Sequence, residues 1–232
     1  MIEAVVFDLD GVIVDSEQIW DDVREQLARE RGGRWHDRAQ ADMMGMSSVE
    51  WSRYMHDVIG LAEPPEEIND EVVRRLLDRY RTRLPLVEGA VAAVERLAGR
   101  FTLGVASSSN RPVIEAALEA AGVARYFAAT VSSEEVARGK PAPDVYLEAA
   151  RRLQVEPRHA AAIEDSSNGI RSAHAAGLAV VAIPNRHYPP APDALALADA
   201  RLESIERLDA DVVARLDDGY AGRPPSEGSR ST

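Results

Sequence analysis

Hydrophobic and polar positions repeat along this chain with two different periods. Short, mostly β-branched apolar runs predict strands over residues 4–8, 102–107, 128–131, 160–163 and 179–183. Amphipathic stretches with an apolar period of about 3.6 residues predict helices over 91–98, 111–121, 143–153 and 169–176. Strands that alternate with helices predict an α/β fold with a Rossmann-like parallel sheet.

One long interval interrupts this alternation. About ninety residues separate the first two predicted strands, far more than a crossover helix needs. Polar starts and helical apolar spacing predict helices over 16–31, 47–59 and 66–83. We therefore expect an all-helical cap, 16–85, inserted into an α/β core formed by 1–15 and 86–217. The Gly-, Pro- and Ser-rich segment 218–232 is predicted to be a disordered tail.

All three tryptophans, Trp20, Trp35 and Trp51, fall within this predicted cap. The favoured interpretation is that they form the cap's own hydrophobic core. The alternative is that Trp20 faces a substrate. The same two interpretations, packing or substrate contact, apply to Met43, Met44, Gly45 and Met46.

Composition and charge exclude several classes of protein. The 232 residues are 45% hydrophobic, enough for one core with one modest insertion, and the net charge of −12 disfavours nucleic acid as a partner. The absence of cysteine excludes disulfides and thiolate chemistry. Neither a signal peptide nor a membrane span is predicted, because no basic leader or long apolar run occurs. We expect a soluble cytoplasmic protein, taken as a monomer.

Carboxylates follow two of the predicted strands. Asp8 and Asp10 end the first, and Glu164 and Asp165 end the fourth. Each pair alone is also consistent with an exposed turn or a helix cap, but ligands of open α/β sheets bind at the carboxyl ends of strands. Two carboxylates about 4 Å apart repel by about 4 kcal/mol at an effective dielectric constant of 20, so their convergence requires a cation. Oxygen ligands favour Mg²⁺.

Two further segments carry groups that suit phosphate. Ser107 and Ser108 follow the second strand, just before a helix, where hydroxyls and backbone N–H groups can bind an anion; an ordinary capped loop is the alternative. Lys140 is the single lysine among 27 Lys and Arg residues. A surface lysine is the ordinary interpretation, but a chain that uses arginine elsewhere indicates a need for a compact ammonium group here.

Taken together, the segments VVFDLDGVIVDSE, ASSSN, GKPAPD and EDSSNGI resemble the haloacid dehalogenase (HAD) superfamily of hydrolases. The resemblance extends to about residue 217 and is most specific for the subgroup of phosphoglycolate phosphatase-like enzymes and β-phosphoglucomutase, whose helical cap matches the insertion. It implies phosphoryl transfer to Asp8 as nucleophile, with Asp10 as general acid and base.

The same resemblance implies the remaining roles. Asp8, the carbonyl of Asp10 and Asp165 would bind Mg²⁺, with Glu164 as an additional or outer ligand. The phosphoryl group would be held by Ser107, Ser108 and Lys140.

Phosphatase, phosphomutase and non-catalytic binding protein remain the competing functions. β-Phosphoglucomutase has a histidine and an arginine where this chain has Trp20 and Ser48, which favours a phosphatase. True dehalogenases of the superfamily lack the second carboxylate, so the presence of Asp10 excludes dehalogenation as the favoured interpretation. The intact set of predicted site residues argues against a binding protein. The expected substrate is a small sugar phosphate or a phosphoglycolate-like acid.

Overall fold

The computed structural model describes residues 1–43 and 46–220, and within them a six-stranded parallel sheet forms the centre of the fold. The strands are β1 (Ala4–Phe7), β2 (Thr102–Ser107), β3 (Phe127–Ser132), β4 (Ala160–Glu164), β5 (Ala179–Ala182) and β6 (Ala200–Arg201). Their order in the sheet is β3-β2-β1-β4-β5-β6. β1 therefore lies between β2 and β4, and all three carboxyl ends meet at one edge.

Four helices lie in the segment predicted as the cap: α1 (Glu17–Glu30), α2 (Ala39–Met43), α3 (Ser48–Asp57) and α4 (Pro65–Thr82). The others are α5 (Ala90–Ala98), α6 (Arg111–Ala120), α7 (Asp144–Arg152), α8 (Ser167–Ala175), α9 (Pro192–Leu195) and α10 (Ala210–Tyr220). Short 3₁₀ turns lie at Ala124–Tyr126, Ser133–Glu135, Pro157–His159 and Ile205–Arg207. Among the helices described, none combines the length and apolar character needed to cross a membrane.

Both faces of the sheet are buried, as an all-parallel sheet requires. In β1, Val5 and Phe7 belong to one hydrophobic cluster, and Ala4 and Val6 belong to a second on the opposite face. The first cluster continues into the helices of the cap, where Trp51 is buried. The favoured interpretation of the tryptophans as packing residues therefore holds for Trp51.

The α/β, Rossmann-like fold class predicted from the sequence is confirmed. Predicted strands and helices are present, with ends that shift by one or two residues. The sequence patterns missed α2, α9, α10 and β6; β6 has only two residues and α9 only four, too few to establish a period. α10 continues to Tyr220, so residues 218–220 are helical where a tail was predicted. Residues 221–232 lie outside the described part.

Candidate active site

Three buried carboxylates meet at the carboxyl edge of the sheet. Asp8 follows β1, and Glu164 and Asp165 stand at the end of β4, whose Ile163 pairs with Phe7 of β1. One oxygen from each of these carboxylates lies within 4.8 Å of the others. The convergence of acids that are distant in sequence, predicted from the strand ends, is thus present in the structure.

Lys140 joins two of these carboxylates. Its Nζ lies 2.9 Å from Asp8 Oδ1 and 2.7 Å from Glu164 Oε1, and the side chain is buried. Burial alone would lower the pKa of Lys140, but the negative charges of Asp8 and Glu164 outweigh it and raise that pKa. Lys140 therefore stays protonated, and its compact ammonium group lies within hydrogen-bonding distance of both carboxylates.

Glu164 is saturated with hydrogen bonds. Its Oε1 accepts from Lys140 Nζ and from the Tyr146 hydroxyl, both at 2.7 Å. Its Oε2 accepts from the backbone N–H of Asp165 at 3.1 Å, the N–H of Ser166 at 3.3 Å and the Ser166 hydroxyl at 3.2 Å. Although Glu164 belongs to the acidic cluster, these contacts make it the residue that orients Lys140 and the loop after β4.

Two glycines leave room for these carboxylates. A Cβ on Gly11 would lie 1.8 Å from Asp165 Oδ2, and a Cβ on Gly169 would lie 1.8 Å from Glu164 Oε1. Gly11 also has a φ of +78°, which side chains rarely adopt. Asn185, which sequence reasoning missed, donates from Nδ2 to Asp165 Oδ2 at 3.2 Å. The position of Asn185 shortly after β5, at the carboxyl end of a strand, was the sequence signal that could have identified it.

Asp10 faces the start of the cap helix α1. Its Oδ1 accepts hydrogen bonds from the Ser16 hydroxyl and, at 3.2 Å, from the Trp20 indole Nε1. Its Oδ2 accepts from the Ser109 hydroxyl at 2.6 Å. Trp20 also packs edge-on against Trp51 with ring centroids 6.0 Å apart, in agreement with the packing interpretation. A substrate contact of Trp20 stays a prediction. Ser16 and Ser109 are partners of Asp10 that sequence reasoning did not assign.

The serines of the loop after β2 differ in whether they face the cleft. Ser107 is fully buried, and its Oγ accepts a hydrogen bond from the Ser109 N–H at 3.0 Å. Ser108 lines the cleft, and its buried hydroxyl has no hydrogen-bond partner among the described residues. Of the predicted phosphate-binding residues, Ser108 and Lys140 therefore face the cleft. Ser107 is buried, and its side chain stabilises the loop through the hydrogen bond to the Ser109 N–H.

The acidic cluster carries more negative charge than the single ammonium of Lys140 can balance. Burial, with Glu164 and Asp10 adding to it and Lys140 opposing it, raises the pKa of Asp8 from 3.8 to about 8. Burial and the charges of Glu164 and Asp8 raise the pKa of Asp165 well above its usual range. One ammonium cannot balance three buried carboxylates, so the donor set suits a divalent cation bound by hard oxygen ligands.

A narrow cleft between the cap and the core opens onto this cluster, with a volume of about 60 Å³. That volume corresponds to a few water molecules. The core side of the lining consists of Asp8, Asp10, Ser108, Ser109, Lys140, Asp165, Ser166 and Asn168. The cap side consists of Glu17, Trp20, Arg24, Met43, Met46 and Trp51, whereas Met44 and Gly45 lie outside the described residues.

Residues 2–177 of this sequence match a model of the haloacid dehalogenase-like hydrolases. The chain belongs to this family. It is 31% identical to hexitol phosphatase B of Escherichia coli (strain K12), an alignment covering 90% of this chain and 95% of that protein. It is also 31% identical to the fructose-1-phosphate phosphatase of the same strain, over 76% of this chain and 94% of that protein.

Two further matches concern the length and the fold of the chain. The chain is 30% identical, over 78% of its length, to the bifunctional riboflavin kinase/FMN phosphatase of Arabidopsis thaliana, of which the alignment spans only 48%. The solved structure of β-phosphoglucomutase from Clostridium difficile matches with a TM-score of 0.83 and 22% identity, covering 96% of this chain and all of that one, which shows the shared fold. The predicted HAD-family phosphatase is confirmed.

Proposed function

We propose that this HAD-family hydrolase is a Mg²⁺-dependent phosphatase that cleaves the phosphomonoester of a small sugar or sugar alcohol through an aspartyl-phosphate on Asp8. The observation that carries the proposal is the pairing of the Asp8 carboxylate with Lys140 Nζ at 2.9 Å, inside an acidic cluster that opens onto a cleft. The relatives named for hexitol and fructose 1-phosphate support a carbohydrate substrate.

In the first step, an oxygen of Asp8 attacks phosphorus, and the bond from phosphorus to the ester oxygen breaks. The leaving oxygen keeps the electron pair and takes a proton from Asp10. Lys140 and the unpartnered Ser108 hydroxyl hold the transferring phosphoryl oxygens, since this reaction depends mainly on positioning and on charge stabilisation. Asp8, Asp165 and the Asp10 carbonyl would hold Mg²⁺, which when bound supplies positive charge against the phosphoryl group.

In the second step, water attacks the phosphorus of the aspartyl-phosphate and gives its proton to Asp10. The bond between phosphorus and the Asp8 oxygen breaks, which releases inorganic phosphate and regenerates both carboxyl groups. Ser16, Trp20 and Ser109 all donate hydrogen bonds to the Asp10 carboxyl group, and these contacts fix its position at the cleft.

A phosphomutase would pass the same phosphoryl group to a second sugar hydroxyl. Two observations favour water as the acceptor. The Trp20 indole can only donate a hydrogen bond, unlike the histidine that β-phosphoglucomutase has there. Ser48, which stands where that enzyme has an arginine, is buried and donates to Glu134 at 3.0 Å. Isomerised sugar phosphate in place of free phosphate would establish the mutase.

The proposal is tested by measuring phosphate release from a hexitol phosphate, fructose 1-phosphate and phosphoglycolate. Each substrate is assayed once with Mg²⁺ and once with EDTA. We expect turnover of at least one sugar phosphate that requires Mg²⁺, and its loss in Asp8→Asn with an unchanged circular dichroism spectrum. Residual activity of the variant above a few per cent, or full activity in EDTA, would contradict the mechanism.

The proposal also covers the cellular location and the oligomeric state of the enzyme. We propose that it works in the cytoplasm, because phosphorylated metabolites are too strongly charged to cross membranes unaided. We also propose that it acts as a monomer, because the nucleophile, the lysine and the cap side chains that line the cleft all come from one chain. Sedimentation at micromolar concentration tests the second point.

A further inference from the structure

One face of α1 contributes three side chains to the cleft. Glu17, Trp20 and Arg24 are spaced by three and four residues, which places them on the same side of a helix. Trp20 is occupied by its hydrogen bond to Asp10. Glu17 and Arg24 lie in the cleft with no part in the phosphoryl chemistry described above.

Arg24 is buried and incompletely satisfied. Its guanidinium carbon lies 4.6 Å from the ring centroid of Trp20 and 4.7 Å from that of Trp51, and only 6% of the residue is exposed. Its Nε lacks a hydrogen-bond partner within the described part of the chain. Because the two indoles cover the guanidinium, the N–H groups along its edge are what remains for a ligand. An unfilled buried donor is costly, which points to a bound group that accepts from it.

Glu17 places a carboxylate in the same cleft. Gln40 Nε2 donates both to Glu17 Oε2 and to the Glu17 carbonyl, each at 3.3 Å, which restrains the side chain. Its negative charge acts on Arg24 and offsets the charge of the guanidinium. The cap therefore contributes a donor and an acceptor, without a surplus of positive charge.

We infer that Glu17 and Arg24 bind hydroxyl groups of an uncharged, polyhydroxylated leaving group, with Arg24 donating and Glu17 accepting. The inference rests on the proposed phosphatase function and adds the chemistry of its leaving group. A carboxylate or a second phosphate would find an opposing carboxylate beside the arginine and, among the described residues that line the cleft, no cation besides Arg24 and Lys140. Hydroxyls can use both partners, because each one donates and accepts.

The test compares kcat/KM for mannitol 1-phosphate with kcat/KM for p-nitrophenyl phosphate, whose leaving group carries no hydroxyl chain. For Arg24→Met we expect the ratio of the two values to fall about tenfold or more, the loss of a hydrogen bond to a charged group. Glu17→Gln keeps an acceptor oxygen but loses the charge that strengthens the hydrogen bond, so the ratio should fall about fivefold. Arg29→Met is the matched control, since Arg29 lies on α1 with a side chain that is 74% exposed. It should leave the ratio unchanged.

The possible results distinguish failure of this inference from failure of the proposed function. The inference is overturned if the ratio of the two kcat/KM values stays within twofold of the wild-type ratio in both folded variants. It is also overturned if the wild-type enzyme prefers phosphoglycolate or fructose 1,6-bisphosphate to every polyol monophosphate. If Arg24→Met fails to fold, Arg24→Lys, which keeps the charge without the planar edge, must show the same fall. Wild-type enzyme that cleaves p-nitrophenyl phosphate but no polyol phosphate contradicts this inference alone, whereas inactivity on all esters with Mg²⁺ contradicts the proposed function.

Discussion

Glu17→Gln removes a negative charge from the cleft while keeping the shape of the side chain. Burial, followed by the charge of Asp10, raises the pKa of Glu17 from 4.5 to about 7. A change of that size corresponds to about 3 kcal/mol at 1.36 kcal/mol per pKa unit. Because the residue is only half-buried, solvent screening reduces this value, and we expect a gain of about 1 to 2 kcal/mol in the free energy of unfolding.

The sign follows from proton binding. The folded state holds the Glu17 proton more tightly than the unfolded state, so the wild type loses stability as the pH rises from 4.5 to about 7. The variant has no such loss. The two proteins should be equally stable near pH 4.5, and the variant should be more stable at pH 8. Asp8 and Asp165 also titrate, but they are present in both proteins, and their contributions largely cancel in the difference.

Urea unfolding in EDTA at several pH values between 4.5 and 8 measures this difference. The control is Glu25→Gln on the same helix. Within the part of the chain that the structure describes, Glu25 forms an ion pair with the exposed Arg29, and its replacement should change stability by no more than about 0.5 kcal/mol. A Glu17→Gln variant that is less stable than the wild type at pH 8, or whose effect does not depend on pH, would refute the reasoning. The expected gain in stability, set against lower activity on polyol phosphates, would mark Glu17 as a residue kept for function.

Two further substitutions test the geometry of the carboxylate cluster. Lys140→Arg keeps the charge but not the compact ammonium, and we expect kcat to fall by about 100-fold or more in steady-state phosphate release; near-normal kcat would show that any cation suffices. Gly11→Ala places a Cβ against Asp165 at a positive φ, so it should destabilise the protein by at least about 1 kcal/mol in urea unfolding and weaken Mg²⁺ activation. Unchanged stability and an unchanged Mg²⁺ requirement would contradict the packing described for this loop.

The centre of the site was predictable from the sequence because it depends on strand ends. Asp8 and Asp165 each follow an apolar run, and a parallel sheet brings such ends to one edge whatever the order of its strands. The solitary lysine was equally visible. The order of the six strands was not, because local periodicity carries no information about which strands pair.

The cap side of the cleft could not be predicted in the same way. Arg24 has the appearance of a solvent-exposed charge in an amphipathic helix, and its burial arises only when α1 packs beside Trp51 of α3. The partners of Asp10 were missed for the same reason, since Ser109 reaches it from another strand end. Ser107 and Ser108 look alike in sequence, and only the conformation of the loop decides which hydroxyl faces the cleft.

The covalent role of Asp8 can be tested by trapping the aspartyl-phosphate. Enzyme turning over a sugar phosphate with Mg²⁺ is quenched and treated with borohydride, which reduces an acyl phosphate to an alcohol, and the N-terminal peptide is then analysed by mass spectrometry. The account predicts homoserine at position 8, only when substrate and Mg²⁺ are both present, and never in Asp8→Asn. Reduction at a different residue, or continued turnover with no reducible acyl phosphate under conditions where its breakdown limits the rate, would contradict it.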